Sequence, residues 1–299
     1  ATAMTRLDDF GDDEYVDGLR ALLASLDDDA DLSPDGRRAA AGIVVTALAG
    51  RLEANAAWKA HPELHRAPLR APIVVVGLPR TGTTALHRML CAIDGHQGLE
   101  LWLAQSPRPR PPRAQWEADP AYGRCVAMLE AQHRASPEMA AIHEMAADRP
   151  DECWNLLRQS FASVTFECVF AVSGYSAWWA ACDMKRAYAR WADGLRLVGG
   201  REPDRRFVLK DPSHLFAPEA LLAAVPDATV VMTHRDPAKA IPSVCSLNAT
   251  ARRANDRVPD LARLGAEQLE LWARGIERTM RARERAPERF VDVHFDELR

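Results

Sequence analysis

The period of the apolar positions changes along the chain, and that change divides it. Between residues 1 and 70 they recur at helical spacing. Leu19, Leu22, Leu23 and Leu26 mark one predicted helix over 16–26, and Ile43, Val44, Leu48 and Leu52 a second over 35–52. The D-D-D-A-D run at 27–31 separates them, and Ser33-Pro34 brings N-cap and first-turn chemistry to the second. Short β-rich runs follow at 72–76, 206–209, 228–233 and 290–293. Helical patterns lie between them, at 83–90, from about 117 to 197, at 215–224 and at 260–285. Strands that alternate with helices predict an α/β fold, a parallel sheet flanked by helices on both faces. The division that follows is an N-terminal helical extension over 1–70 and an α/β domain over 71–299, with a mainly helical insertion at about 103–200. The extension carries no site signal and reads as a packing appendage.

The junction after the first strand carries the chemistry. Residues 72–84 read P-I-V-V-V-G-L-P-R-T-G-T-T. A glycine loop between a strand and a helix presents successive backbone N–H groups, and the helix N-terminus adds partial positive charge, so the turn suits a phosphate. The spacing matches G-x-x-x-x-G-K-S/T at Gly77, Gly82 and Thr84, but Thr83 stands where a triphosphatase has its lysine. That lysine reaches the β- and γ-phosphates, so its absence argues against ATP or GTP hydrolysis. Arg80, inside the loop, supplies a cation instead.

Two later strands also end in cations. Residues 206–209 lead into Lys210-Asp211-Pro212, and 228–233 into His234-Arg235-Asp236-Pro237, where Asp236 and Pro237 suit a helix start. Ligands of parallel sheets bind at the carboxyl ends of the strands. Arg80, Lys210 and Arg235 are therefore predicted along one edge, as a cleft for an anion with more than one phosphate-like group.

Composition removes several alternatives. Apolar residues make up 47% and charged residues 27% of the 299, ordinary values for a globular chain, and the net charge of −4 gives no support for general nucleic-acid binding. No apolar run reaches the ~18 residues of a membrane helix, and the acidic N-terminus has no secretory apolar region, so a cytoplasmic protein is expected. The six cysteines include no C-x-x-C pair and the nine histidines no ligand spacing, so no metal site is predicted. Four prolines at 106–113 (S-P-R-P-R-P-P-R) predict an extended surface segment with solvated arginines. Most aromatic residues between Trp154 and Trp191 read as core, while Y-S-A-W-W at 175–179 is a candidate wall of an apolar acceptor pocket.

The motifs resemble those of one family. G-L-P-R-T-G-T-T is similar to the 5′-phosphosulfate loop of sulfotransferases, whose bacterial and tyrosylprotein members use P-R-S/T-G-T-T. V-V-M-T-H-R-D-P with Ser243 eight residues after Arg235 resembles their 3′-phosphate motif, Lys210-Asp211-Pro212 their K-D-P, and V-H-F-D-E-L their late strand. The resemblance covers 72–298 and implies the sulfotransferase P-loop fold. The implied donor is 3′-phosphoadenosine 5′-phosphosulfate (PAPS), the acceptor a hydroxyl of a small or lipid-like molecule, and no metal takes part. It assigns Arg80, Thr81, Gly82, Thr83 and Thr84 to the phosphosulfate and Arg235 with Ser243 to the 3′-phosphate. Arg80 and Lys210 would stabilise the leaving phosphate oxygen. Glu100, sixteen residues beyond Thr84, holds the offset of the glutamate base in tyrosylprotein sulfotransferases, with His96 and His143 in reserve.

This chain departs from the family pattern at three points. Leu103 stands where many larger bacterial members carry a glutamate, and Phe295 replaces a late-strand tyrosine. Members usually continue past this strand with a basic segment, so either the sequence is truncated or another segment such as Arg252-Arg253 substitutes. Two further readings stand beside the first. The loop glycines and Thr84 alone would suit a P-loop nucleotide or small-molecule kinase, and Leu103 with the early C-terminus would suit a PAPS-binding member without turnover.

Overall fold

Every residue of β1 (Ile73–Gly77) is buried, as an all-apolar run requires when both faces of a sheet are covered. In the computed structural model, which describes residues 1–135 and 145–298, β1 is the central strand of five. The others are β2 (His96–Gln97), β3 (Arg206–Lys210), β4 (Thr229–His234) and β5 (Phe290–His294), in the order β2-β3-β1-β4-β5. All neighbouring pairs are parallel, so the carboxyl ends share one edge. The expected sheet therefore forms, with β2 as a two-residue addition that no hydrophobic run announces.

The helices used below are α1 (Val16–Asp28), α2 (Pro34–Ala60), α3 (Thr83–Cys91), α4 (Leu101–Gln105), α5 (Pro120–Ala135), α6 (Trp154–Arg158), α7 (Ser173–Ala181), α8 (Lys185–Gly199), α9 (Pro237–Asn255) and α10 (Leu261–Arg285). Ser33 accepts the Gly36 N–H at 3.0 Å and starts α2 with Pro34 in its first turn. Asp236 and Asp260 accept N–H groups of Ala238 and Arg263 at the starts of α9 and α10, each at 2.9 Å. The predicted helix at 215–224 is two pieces, a 3-10 turn Pro212–Phe216 and a helix Pro218–Ala224, because Pro218 carries no N–H to continue the first.

The largest buried side chains include Trp102, Trp191, Trp272, Tyr175 and Tyr188, which belong to one cluster between the sheet and the helical region. Tyr175 and Trp179 are core residues on α7, which answers the expectation that Y-S-A-W-W lines a pocket. The proline segment at 106–113 is extended as predicted, but it is a strap against the protein. Arg110 is half-enclosed by Glu100, Glu202 and Gln97, and Arg108 by Glu53 and Asp119. Carboxylates from distant segments, invisible to local composition, draw these arginines inward.

Candidate active site

At Gly77 the backbone adopts φ +147°, and a Cβ there would lie 2.3 Å from Thr233 Oγ1, so only glycine lets β1 and β4 close up beneath the loop. Thr81, buried, donates to the Leu78 carbonyl at 2.6 Å and lies 2.6 Å from Thr233 Oγ1. Its hydroxyl thus fastens the loop to itself and to β4. Arg80 is left-handed at φ +70°, a conformation that costs a non-glycine residue about 1–3 kcal/mol and clusters at ligand clamps. Among the described residues, no acceptor takes the backbone N–H groups of residues 80–84. With the N-terminus of α3 behind them, they make a cradle of the kind that suits an anion.

Around that cradle the three strand-end cations converge. Arg80 Nε donates to Ser243 Oγ on α9 at 3.2 Å, and Arg235 Nη1 donates to the Arg80 carbonyl at 2.7 Å. The Arg235 guanidinium also sits 4.2 Å from the centre of the Phe295 ring, the ring that replaces the family's tyrosine. Neither arginine forms an ion pair among the described residues. Lys210, buried at the end of β3, donates to Thr84 Oγ1 at 3.2 Å and forms a close ion pair with Glu152.

Glu152 comes from a strap that runs beside the edge of the sheet. The Glu100–Pro150 bridge, the Asp151 N–H to Leu99 carbonyl bond of 2.9 Å and the Cys153 N–H to Lys210 carbonyl bond of 3.0 Å hold it there. The cavity at the cradle has a volume of about 620 Å³. Arg80, Thr83, Thr84, Glu152 and Asp211 line one part of it. The rest is largely apolar, from Leu101, Met128, Val169, Leu247 and Trp272, with Ile43 and Thr46 of α2 completing the wall. The N-terminal helices, read from sequence as packing, therefore shape the site.

Of the expected bases, Glu100 and His96 stand away from this cavity. Glu100 Oε2 accepts Arg110 Nη2 at 2.9 Å and Nε at 3.1 Å, and it does not line the cavity. His96 pairs in register with Arg206, the first residue of β3, whereas Lys210 is the last. Four residues of strand put His96 ~13 Å from the functional edge. Its Nδ1 bonds with the Leu90 carbonyl at 2.8 Å. His143 lies outside the described residues. Arg252, offered as a substitute basic residue, is buried and donates to the Glu167 carbonyl at 3.0 Å, away from the cradle. No spacing marked Glu152, because a return of the chain 58 residues before Lys210 creates the contact.

Burial sets the charge states nearby. The Asp211 carboxyl is raised, first by burial and then by the charge of Glu152, while its Oδ1 accepts the Ser213 N–H at 2.7 Å. His87, beneath the loop, is lowered to about 4 by burial and by Lys210, so it stays neutral, with Nε2 3.1 Å from the Val208 carbonyl. Among the described residues no group of three or more metal-ligating side chains comes together, and no helix is long and apolar enough to cross a membrane.

Known proteins share this architecture. A sulfotransferase STF1 of Mycobacterium tuberculosis superposes with a TM-score of 0.93 at 41% identity, over 99% of this chain and 82% of that one. A sulfotransferase STF9 of Mycobacterium avium does so with 0.89 at 28% identity, over 99% and 77%. No curated protein matches the sequence. Residues 72–299, from the first strand of the sheet onward, match the profile of the Sulfotransferase family. A phosphate loop without its lysine, cations at three strand ends and this match agree: the chain belongs to the sulfotransferase family.

Proposed function

We propose that this protein transfers a sulfuryl group from PAPS to a hydroxyl of a small, largely apolar acceptor. The observation that carries the reading is the meeting of Arg80, Lys210 and Arg235 at the carboxyl ends of β1, β3 and β4, beside an apolar cavity. PAPS bears a phosphosulfate and a 3′-phosphate on one ribose and needs two anion sites. The N–H groups of residues 80–84 with Thr83 and Thr84 suit the first, and Arg235 with Ser243 the second. Gly82 and Thr81 serve through the backbone they hold rather than through a reacting side chain.

In the transfer, the acceptor oxygen bonds to sulfur as the bond from sulfur to the bridging phosphate oxygen breaks, and the electron pair goes to that oxygen. Glu152 takes the proton of the attacking hydroxyl. Lys210 and Arg80 carry the charge that develops on the phosphate, in a site where fixed donors need no reorganisation. Glu152 replaces Glu100 in this role because it lines the cavity and touches Lys210, whereas the Glu100 carboxylate is committed to Arg110. The kinase reading loses its ground with the family assignment.

Calorimetric titration with adenosine 3′,5′-bisphosphate tests the donor. Binding without magnesium is expected, and a parent protein that fails to bind would refute the reading. Transfer of labelled sulfate to a panel of hydroxylated amphiphiles then separates an active enzyme from a member that only binds.

A further inference from the structure

Arg158 closes α6 and lines the acceptor part of the cavity, yet it is only 5% exposed. Its guanidinium stacks 4.0 Å from the centre of the Trp154 ring, and Nη2 donates to the neutral Asn155 Oδ1. Among the described residues it has no other hydrogen bond and no ion pair, and Nε is buried without a partner. Burial without an acidic neighbour lowers its pKa to about 9.

Arg51 shows how the same fold settles a structural arginine. It is buried just as completely, but it is held by Glu14 at 2.6 Å, by Asp12 at 2.9 Å and by the backbone carbonyls of Phe10 and Asp12. A buried cation without such partners is costly, and an anionic group brought by a ligand would offset that cost. Among the described residues, Arg158 is reached through the cavity that it lines, whose wall on that side is largely apolar, from Val164, Cys168, Val169 and Trp154.

We propose that Arg158 anchors a carboxylate on the acceptor, so that the cavity takes an amphiphile with a hydrocarbon body, an acidic group at Arg158 and the reacting hydroxyl at Glu152. Among the described residues Arg158 is the cation on the apolar side of this cavity, apart from Arg80 at the loop. One guanidinium suits a monoanion such as a carboxylate, and a dianionic phosphate would leave charge uncompensated. This inference rests on the proposed acceptor cavity, but its test does not depend on turnover.

The test compares three probes on the full chain: ω-hydroxydodecanoic acid, its methyl ester and α,ω-dodecanediol, titrated at pH 8 with adenosine 3′,5′-bisphosphate present. The acid should bind about tenfold to hundredfold tighter than the ester or the diol, the advantage of a charge-assisted contact in a dry site. Arg158→Gln should abolish that preference and Arg158→Lys retain part of it, while both keep the parent's affinity for the bisphosphate. Equal binding of acid and ester by the parent, no binding of any probe, or an acid preference that survives in Arg158→Gln would each overturn the proposal. Because the parent comparison needs no variant, a misfolded variant cannot mask the result. A failure of the bisphosphate to bind counts against the donor reading alone, since the probes can then be compared without it.

Discussion

Lys210 Nζ donates to Thr84 Oγ1 over 3.2 Å, and this contact ties the end of β3 to the first turn of the helix behind the phosphate loop. The same ammonium holds Glu152. One buried cation thus links the cradle to a carboxylate of the cavity, so the proposed leaving-group stabiliser and the proposed base position one another. Lys210→Met should lower kcat about 10²–10³-fold, the effect of removing one preorganised donor, and weaken the bisphosphate, whose 5′-phosphate carries that charge, by about tenfold. Single-turnover sulfate transfer measures the first and calorimetry the second.

The two glutamates separate cleanly by variant. Glu152→Gln should cost about 10²–10⁴ in kcat and flatten the acid limb of the rate profile, as loss of a general base does. Glu100→Gln should keep the profile's shape and instead lower stability by about 1–3 kcal/mol, because Arg110 loses an anionic partner. If Glu100→Gln proves inactive while folded, the assignment reverses.

Arg235 bears on donor binding rather than on chemistry. Its Nη1 bond to the Arg80 carbonyl and its stacking on Phe295 hold it at the loop without spending its charge on a carboxylate. Arg235→Ala should weaken adenosine 3′,5′-bisphosphate by about 10–100-fold, the worth of one or two charge-assisted hydrogen bonds. An adenosine 5′-phosphate control, which lacks the 3′-phosphate, should show no such difference between the two proteins.

Stability should vary with pH through Glu167. Burial raises its carboxyl to about 7. The unfolded chain then releases this proton near pH 4.5 and the folded one near 7, so stability falls as pH rises across that window and stays low above it. Glu167→Gln should remove the decline and stabilise the protein at pH 8 by up to about 3 kcal/mol, at 1.36 kcal/mol per pKa unit. Denaturant midpoints at pH 5 and pH 8 give the comparison, and a parent protein with equal stability at both would contradict it.

Acid destabilisation has the opposite sign and a different source. His87 at about 4 and His214 at about 3 are both lowered chiefly by burial and stay neutral in the fold, and Tyr188 OH lies 2.7 Å from His214 Nδ1. Their contribution is full above pH 6.5 and is lost as pH falls, because the unfolded chain takes up protons first. His87→Gln should reduce the loss of stability between pH 6.5 and 4, as thermal unfolding would show.

The sequence by itself determined the parallel sheet, the loop and the three cations, because each depends on local order. A run of buried β-branched residues makes a strand, glycines make the turn that follows, and parallel pairing sends every strand end to the same edge. Arg80, Lys210 and Arg235 were legible for that reason. Glu152 was not, since the strap that sets it against Lys210 is held by backbone bonds to Leu99 and to Lys210 itself. Nor was the part played by α2, whose Ile43 and Thr46 reach the cavity only once the helical extension packs against the domain. Arg110 and Arg158 make the same point from opposite sides. Both sit in arginine-bearing segments of ordinary appearance, yet one is met by Glu100 and Glu202 and the other, among the described residues, by no acid. Charge pairing over long sequence separations is decided by which surfaces the hydrophobic core brings together, and only the tertiary structure holds that information.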